Sequence, residues 1–238
     1  MTRWIELDGP ANVRDLGGLP VDGGTITPRR AIRADNLAGL AADDIDALAD
    51  VTDVIDLRTI GETETGITEL AGHGAAYHHL PVGLRLGAIA ALGGSRPMDE
   101  AYLRMFEASA TTLVASLEIL AGADGAVAYH CAGGKDRTGI LTATLLSVLG
   151  ASDETIASDY ALTQGRMPRV LARLLGIPAY VDVLEHVDDA TLGATPETMF
   201  GFLRLVRGHH GSFERFLLDA GLEPATIERL RTRLIETT

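Results

Sequence analysis

The chain has 238 residues, of which 46% are hydrophobic and 22% are charged, a composition typical of soluble globular proteins. Its 33 acidic residues outnumber 20 basic ones, and the net charge of −13 argues against broad binding to nucleic acid or anionic lipid. A single cysteine, Cys131, excludes an internal disulfide framework and a thiolate zinc cluster. The basic residues are 19 arginines and one lysine, Lys135.

The chain carries no obvious targeting or membrane segment. Its first residues lack the basic and then apolar pattern of a signal peptide, and the most apolar stretch, 139–150, is too short to span a bilayer. We therefore expect a cytoplasmic protein without integral membrane association, while export without a signal peptide stays open. Because there is no internal repeat and no long linker, a single domain over residues 1–238 is expected.

Short strands and turns around one helix are predicted for the first eighty residues. A glycine-rich turn leads into a short strand within 23–28, and β-branched or apolar runs predict strands at 31–33, 51–57 and 77–82. The helix is predicted at 43–48, where acidic residues in the first turn interact favourably with the helix dipole.

The middle of the chain begins with its least regular segment. Residues 83–98 are rich in glycine and predict a flap or short lid within 83–108. Next come a helix, a compact buried strand, a glycine-containing loop and an apolar helix that begins at Thr138. The C-terminal third is predicted to be helical. The predicted strand is 126–130, and the predicted helices are 100–120, 140–149, 152–163, 166–175, 195–209 and 223–236. This order indicates an α/β fold with a central sheet flanked by helices and a helical C-terminal third.

Cys131 and Arg137 have the spacing C-x5-R between the predicted strand and the apolar helix. A strand–loop–helix arrangement directs backbone N–H groups and the positive end of the helix to one point, where an oxyanion can bind. Glycines in the loop would let the backbone curve around a phosphate group without a clash from a Cβ atom. The predicted phosphate-binding residues are Ala132, Gly133, Gly134, Lys135, Arg137 and Thr138.

The electrostatic field of such a loop favours the thiolate form of Cys131, so we expect this residue to be a nucleophile at neutral pH. The alternative is a buried structural cysteine in front of a helix, and the loop context favours catalysis. Arg137 would supply a planar fork that grips two oxygens of a phosphoryl group and follows them into the transition state.

Four further residues in or near the loop have candidate roles. Asp136 would protonate the leaving oxygen and later activate water, with a structural contact at the helix N-terminus as the alternative. Asp99, in the predicted lid, is the rival acid. Thr138 would either donate its hydroxyl to the leaving sulfur or cap the helix, and neither role is favoured. Lys135 would place a second compact cation beside the phosphate.

At these residues the sequence resembles a known family. The segment HCAGGKDRTG at 130–139 is similar to the HCxxGKDRTG signature loop of the bacterial atypical tyrosine-protein phosphatases, which are typified by a secreted mycobacterial enzyme with protein and lipid activity. Further similar segments follow in the expected order, and they are NVRDLGG at 12–18, RADNL at 33–37, VIDLR at 54–58 and SDYALT at 158–163.

The resemblance implies a cysteine-phosphatase fold and a phosphocysteine mechanism that needs no cofactor or metal. Carried over position by position, it makes Cys131 the nucleophile, Asp136 the acid, Arg137 the phosphate clamp and Lys135 a specificity residue. The implied substrates are phosphotyrosine proteins, with phosphoserine, phosphothreonine or phosphoinositides as further candidates. The 83–98 segment is shorter than the helical lid of the best-known member, so it does not predict lid gating or protection from oxidation.

Two other functions stay open at this point. A rhodanese-type sulfurtransferase also places a cysteine in a loop before a helix, although Arg137 followed by Thr138 favours phosphate over sulfane sulfur. A catalytically silent phospho-binding module would keep the loop without its chemistry, although every residue that the chemistry needs is present.

Charged and metal-type residues outside the loop favour structural roles. Neighbouring histidines at 78–79 and 209–210 point apart and cannot easily chelate one ion, so no metal site is predicted. Four charged residues could brace the loop or form a structural ion-pair network, and the network is favoured for Arg14, Asp15, Asp56 and Arg58.

Overall fold

The computed structural model describes residues 3–83, 97–184 and 189–237. Its strands are β1 (Arg14–Asp15), β2 (Pro20–Val21), β3 (Gly24–Ile26), β4 (Ala31–Ala34), β5 (Val51–Asp56), β6 (Ala76–His79), β7 (Ala126–His130) and β8 (Ile235–Glu236). Five of them form a central sheet in the order β1-β4-β7-β5-β6, and the other three form a small sheet in the order β2-β3-β8. This architecture is the α/β fold that the sequence predicts.

Helices cover the central sheet and fill the C-terminal part of the chain. The α-helices are α1 (Ala42–Ala47), α2 (Ile60–Thr63), α3 (Met98–Ala108), α4 (Ala110–Gly122), α5 (Asp136–Val148), α6 (Asp153–Ala161), α7 (Met167–Leu175), α8 (Pro178–Leu184), α9 (Asp189–Leu192), α10 (Pro196–His210), α11 (Phe213–Asp219) and α12 (Pro224–Leu234). Two 3-10 helices occupy Glu69–His73 and Leu162–Arg166.

Four strands of the central sheet run parallel, so their carboxyl ends meet at one edge. Ala34 of β4 and Asp56 of β5 both pair with His130, the last residue of β7. The chain segments that follow these strands therefore emerge side by side, and Cys131 is the first residue beyond β7. In parallel α/β sheets this edge is where ligands bind.

Strand β7 separates two hydrophobic cores because alternate side chains of a strand point to opposite faces. Val127 and Tyr129 belong to the larger core, which includes residues of α3, α4, α5 and α10. Ala126 and Ala128 face the smaller core on the other side of the sheet. Helix α5 is buried along almost its whole length, which explains why the sequence after the loop is so apolar.

Most predicted elements are confirmed, but the strand predicted at 77–82 ends at His79, and three helix boundaries are wrong. The apolar helix begins at Asp136 and not at Thr138, because the chain turns at the preceding loop. The predicted helix 100–120 is two helices, which break at Ser109 with a bend of 76°. The predicted helix 223–236 ends at Leu234, because the last residues pair as β8 with β3.

The predicted lid is only partly described by the structure. Residues 84–96 lie outside the described residues. The remainder forms α3, whose residues Tyr102 and Phe106 are fully buried against the core. Residues 98–108 therefore form a helix that packs in the core, and a flap or lid within 83–108 stays a prediction.

The described residues contain no single helix that is both long and apolar enough to cross a membrane. Helices α3 and α4 meet the length and composition requirement only as a bent pair, and their apolar residues lie in the larger core.

Candidate active site

Residues 131–137, which are the loop after β7 and the first two residues of α5, are here called the Cys131 loop. Gly134 has a φ of +65°, and a Cβ atom there would lie 2.7 Å from both the Ala34 carbonyl oxygen and the Asp35 nitrogen. Only glycine fits both constraints. A Cβ atom at Gly133 would meet the Val170 side chain at 3.4 Å, an ordinary contact. The protein scaffold therefore requires a glycine at Gly134, whereas the scaffold around Gly133 leaves room for a Cβ atom. The predicted role of Gly133 beside a bound phosphate stays a prediction.

The carbonyl oxygens of residues 132–134 all bind the surrounding scaffold. In chain order they accept hydrogen bonds from the Asn36 nitrogen (3.1 Å), the Asn12 side-chain amide (3.1 Å) and the Arg33 guanidinium (2.9 Å). In a trans peptide the N–H group points away from the carbonyl group of the same unit. The N–H groups of residues 133–135 are therefore directed to the other side of the loop, where they can bind an anion together with the N-terminus of α5.

A buried cluster of charges holds these scaffold groups in place. Asp159 of α6 accepts hydrogen bonds from Arg3 (2.8 Å), Arg14 (3.2 Å) and Arg33 (2.6 Å). Arg14 also donates to the Asn12 side-chain oxygen at 2.7 Å. Burial opposes the negative charge on Asp159, but the arginines hold its pKa well below the usual range. The predicted network at Arg14 is thus confirmed, and it braces the loop as well.

A second buried ion pair lies behind the loop. Asp56 and Arg58 contact each other at 2.7 Å, and Tyr77 donates to Asp56 at 2.8 Å. His130 lies 3.7 Å from Asp56, and burial lowers the pKa of His130 to about 4, so its ring is neutral at pH 7. Asp15 accepts backbone hydrogen bonds in the turn that follows β1. The ion pair of Asp56 and Arg58 is the structural contact that the sequence favours, whereas Asp15 makes no ion pair among the described residues.

Arg137 makes a bidentate ion pair with Glu62 of α2, at 2.6 and 2.8 Å. Burial opposes both charges, but the paired hydrogen bonds raise the pKa of Arg137 and lower that of Glu62. A guanidinium group has five N–H donors. The two that bind Glu62 fix the plane of the fork, and the others remain to bind a ligand.

Glu62 has no sequence pattern that predicts this ion pair. Thr59 and Glu62 form a capping box, in which the Thr59 nitrogen donates to the Glu62 carboxylate at 2.9 Å. That motif predicts the start of a helix. It does not indicate a contact with an arginine that lies far along the chain.

Glu62→Gln is expected to lower kcat/KM roughly 100-fold, because a fork displaced by even about 1 Å loses its alignment with the reacting group. The amide removes the negative charge and can accept at only one of the two positions. Steady-state kinetics with an aryl phosphate measures the effect, and Glu64→Gln, at an exposed position just after α2, is the matched control. An unchanged kcat/KM in Glu62→Gln would show that Arg137 does not depend on this pair.

Asp136 lies at the start of α5 with a side chain that is 25% exposed. Its Oδ1 atom accepts a hydrogen bond from the Tyr102 hydroxyl at 2.6 Å and lies 3.3 Å from the Lys135 ammonium. Asp99 accepts a hydrogen bond from its neighbour Glu100, and its carboxylate packs against Gly201 of α10. Of these two acids, Asp136 is therefore the one that lies in the Cys131 loop.

Lys135 and Thr138 both make contacts that the sequence did not indicate. The buried Lys135 ammonium donates to the backbone carbonyls of Thr191 and Gly193, and so ties the segment after α9 to the loop. Thr138 is directed to the Ala34 carbonyl at 3.4 Å. The predicted capping role of Thr138 is wrong, because Lys135 occupies the N-cap position of α5.

An apolar wall from α7 and α8 packs beside the loop. Val170 and Tyr180 are fully buried there and cluster with Ala132. The Cys131 side chain is a free thiol with 2% exposure. Within the described residues, no group of three or more His, Cys, Asp or Glu side chains is arranged to hold a metal ion.

The sequence family agrees with this geometry. A model of the tyrosine phosphatase family matches residues 5–236. The chain belongs to the tyrosine phosphatase family. It is similar to a protein of Cupriavidus necator with a provisional tyrosine-protein phosphatase name, at 30% identity over 91% of this chain and 83% of that protein.

Two other relatives match over about half of the chain. The triple specificity protein phosphatase PtpB of Mycobacterium tuberculosis is 29% identical over 46% of this chain and 44% of its own length. A tyrosine-protein phosphatase of Nostoc commune is 29% identical over 49% of this chain and 41% of its own length. The family match makes this chain a protein-tyrosine phosphatase and disfavours the sulfurtransferase alternative.

Proposed function

We propose that this phosphatase hydrolyses phosphomonoesters through a phosphocysteine intermediate, with Cys131 as nucleophile, Arg137 as phosphate clamp and Asp136 as proton donor and acceptor. The observation that carries the proposal is the orientation of the Cys131 loop, whose carbonyl groups bind outward to the scaffold. Three consecutive N–H groups are thereby left for the phosphate, next to a free thiol and an arginine whose plane is fixed.

In the first half of the reaction the Cys131 thiolate attacks phosphorus opposite the leaving oxygen. The S–P bond forms while the P–O bond to the leaving group breaks, and the electron pair of that bond takes the proton of Asp136. Arg137 and the loop N–H groups bind the other phosphoryl oxygens, whose negative charge changes position in the transition state.

In the second half a water molecule attacks the phosphocysteine. Asp136 accepts a proton from the water as the new P–O bond forms, and the S–P bond breaks to regenerate the thiolate. Phosphate leaves with no net change in the enzyme. The residues of the loop supply every group in this cycle, so it needs no metal ion or cofactor.

We propose phosphotyrosine in proteins as the principal substrate. One relative is named a triple specificity protein phosphatase, and this name supports more than one class of substrate here. Phosphoserine, phosphothreonine and phosphoinositides are the further candidates that the family resemblance implies. A comparison of kcat/KM for a phosphotyrosine peptide, a phosphoserine peptide and a phosphoinositide tests this order. A preference for phosphoinositide over phosphotyrosine would overturn the assignment of the principal substrate.

Rapid mixing with a 32P-labelled phosphotyrosine peptide, followed by an acid quench, tests the intermediate. We expect close to one labelled phosphate per protein molecule. The bond that holds it should be cleaved by iodine, as the P–S bond of thiophosphates is. Turnover without any labelled protein would contradict the phosphocysteine. Binding of the peptide without turnover would instead support a silent phospho-binding module, and thiosulfate–cyanide transfer would support a sulfurtransferase.

A further inference from the structure

A chain of hydrogen-bonded hydroxyl groups connects the core of the protein to Asp136. We propose that Tyr102 is a positioning residue that holds the Oδ1 atom of Asp136, so that Oδ2 is the oxygen that carries the transferred proton, and that Tyr160 holds Tyr102 in turn. The inference rests on the proposed function, in which Asp136 is the proton donor.

The hydrogens of this chain can be assigned by counting donors. The Tyr102 oxygen lies 2.6 Å from Asp136 Oδ1 and 2.7 Å from the Tyr160 oxygen. A tyrosine hydroxyl carries a single hydrogen. Because Tyr102 donates its hydrogen to the carboxylate, its oxygen accepts the hydrogen of Tyr160. Both O–H bonds therefore point towards Asp136, and such aligned bonds strengthen one another.

The contacts distinguish the two oxygens of the Asp136 carboxyl group. The Tyr102 hydroxyl and the Lys135 ammonium, at 3.3 Å, both contact Oδ1. Among residues 3–83, 97–184 and 189–237, no hydrogen bond to Oδ2 is found. A positive charge and a donated hydrogen at Oδ1 keep negative charge on that atom, so a proton that binds the group is directed to Oδ2.

The two tyrosine rings are held too firmly for their hydroxyls to drift. Both are buried and lie edge to face, with centroids 6.2 Å apart and planes at 81°. Phe202 packs on Tyr102 in the same manner, and a Cβ atom at Gly139 would lie only 3.1 Å from the Tyr160 ring. Glycine at this position of α5 thus allows the Tyr160 ring to approach the helix that begins with Asp136.

The hydroxyls keep their hydrogens over the working pH range. Burial, followed by the charge of Asp136, raises the pKa of both tyrosines well above the ordinary value. The charged groups that face the chain are Lys135 beside Asp136 and Arg33, which faces Tyr160. The chain therefore donates to Asp136 in both halves of the reaction, when the group gives a proton and when it takes one.

Tyr102→Phe tests the proposal with two aryl phosphates. Phenyl phosphate has a poor leaving group that needs a proton donor, whereas 2,4-dinitrophenyl phosphate has a good one that does not. We expect kcat for phenyl phosphate to fall about 10-fold while kcat for the dinitrophenyl ester changes less than about 2-fold.

The matched control is Tyr129→Phe. Tyr129 is equally buried, but its hydroxyl bonds to Thr142 and not to the chain. This variant should leave the leaving-group dependence unchanged. Tyr160→Phe, which removes the donor behind Tyr102, should lower kcat for phenyl phosphate selectively as well, by a smaller factor.

Asp136→Asn separates failure of this inference from failure of the proposed function. If Asp136 is the donor, this variant loses activity mainly on phenyl phosphate, and Tyr102→Phe then has no further effect when the two are combined. If Asp136→Asn hydrolysed phenyl phosphate as fast as the natural protein, the role of Asp136 itself would be overturned. The opposite outcome is also informative. If Asp136→Asn lost activity mainly on phenyl phosphate, but Tyr102→Phe lowered kcat equally for both esters, with or without Asp136→Asn, only the positioning role of Tyr102 would be overturned.

Discussion

Cys131→Ser is expected to reduce kcat for p-nitrophenyl phosphate by a factor on the order of 10⁴ or more, because a serine hydroxyl in this loop is not ionised and attacks phosphorus poorly. The substitution replaces one small side chain by another inside a buried loop, so it should change neither the fold nor the loop N–H groups. Turnover by the unmodified enzyme should persist in EDTA, since the proposed cycle uses no metal ion.

Binding experiments distinguish a lost nucleophile from a lost site. Isothermal titration of Cys131→Ser with a phosphotyrosine peptide should still give saturable binding, and the same titration with Arg137→Ala should not. If Cys131→Ser retained a substantial part of the turnover, another residue would have to be the nucleophile, and the mechanism would fail.

Asp159→Asn is expected to lower the free energy of unfolding by about 3–5 kcal/mol, which is the usual result of removing one partner from a buried ion pair. Its carboxylate is shared by three arginines, and at least Arg14 and Arg33 are themselves buried. An uncharged amide leaves these positive charges without compensation. Urea unfolding measures the loss, and activity should fall with it because Arg33 also holds a loop carbonyl.

The control for this change lies on the same helix. Asp153 pairs with Arg207 at the surface, and Asp153→Asn should cost less than about 1 kcal/mol. If the two variants lost the same stability, the buried cluster would contribute no more than a surface pair.

The stability that Asp159 provides should also depend on pH. Because the folded-state pKa lies below the unfolded value of about 3.9, this contribution is fully present above that value and is lost as the pH falls below it. The difference in unfolding free energy between the natural protein and Asp159→Asn should therefore be constant near neutrality and shrink in acid.

Features that depend on neighbouring residues were predictable from the sequence. The strand before Cys131, the apolar helix after it and the C-x5-R spacing all lie within about two dozen consecutive residues, and each has a local pattern. The helix predicted at 195–209 also has a local start pattern, a threonine followed by a proline, and the structure has Thr195 as the N-cap of α10. The α/β class follows from the order of such local elements.

Features that depend on distant residues were not predictable. Nothing in the spacing around Glu62 indicates that it binds Arg137, and nothing around Asp159 indicates three arginine partners. Tyr102 was assigned to a possible lid because the sequence before it is irregular, whereas the structure buries it against Asp136. Such contacts are fixed by how the elements pack, and packing leaves no periodic signal in a single sequence.

The strand order has a consequence for how the protein acquires its fold. Strands β4 and β5 leave the ribosome long before β7, yet each pairs with β7 and neither pairs with the other. Until Ala126–His130 has been synthesised, both strands have edges without the partner they need, and long-range pairing of this kind is slow and exposed to aggregation. The strand that completes the sheet is also the one that ends next to Cys131, so the Cys131 loop can take its place only once the central sheet is complete.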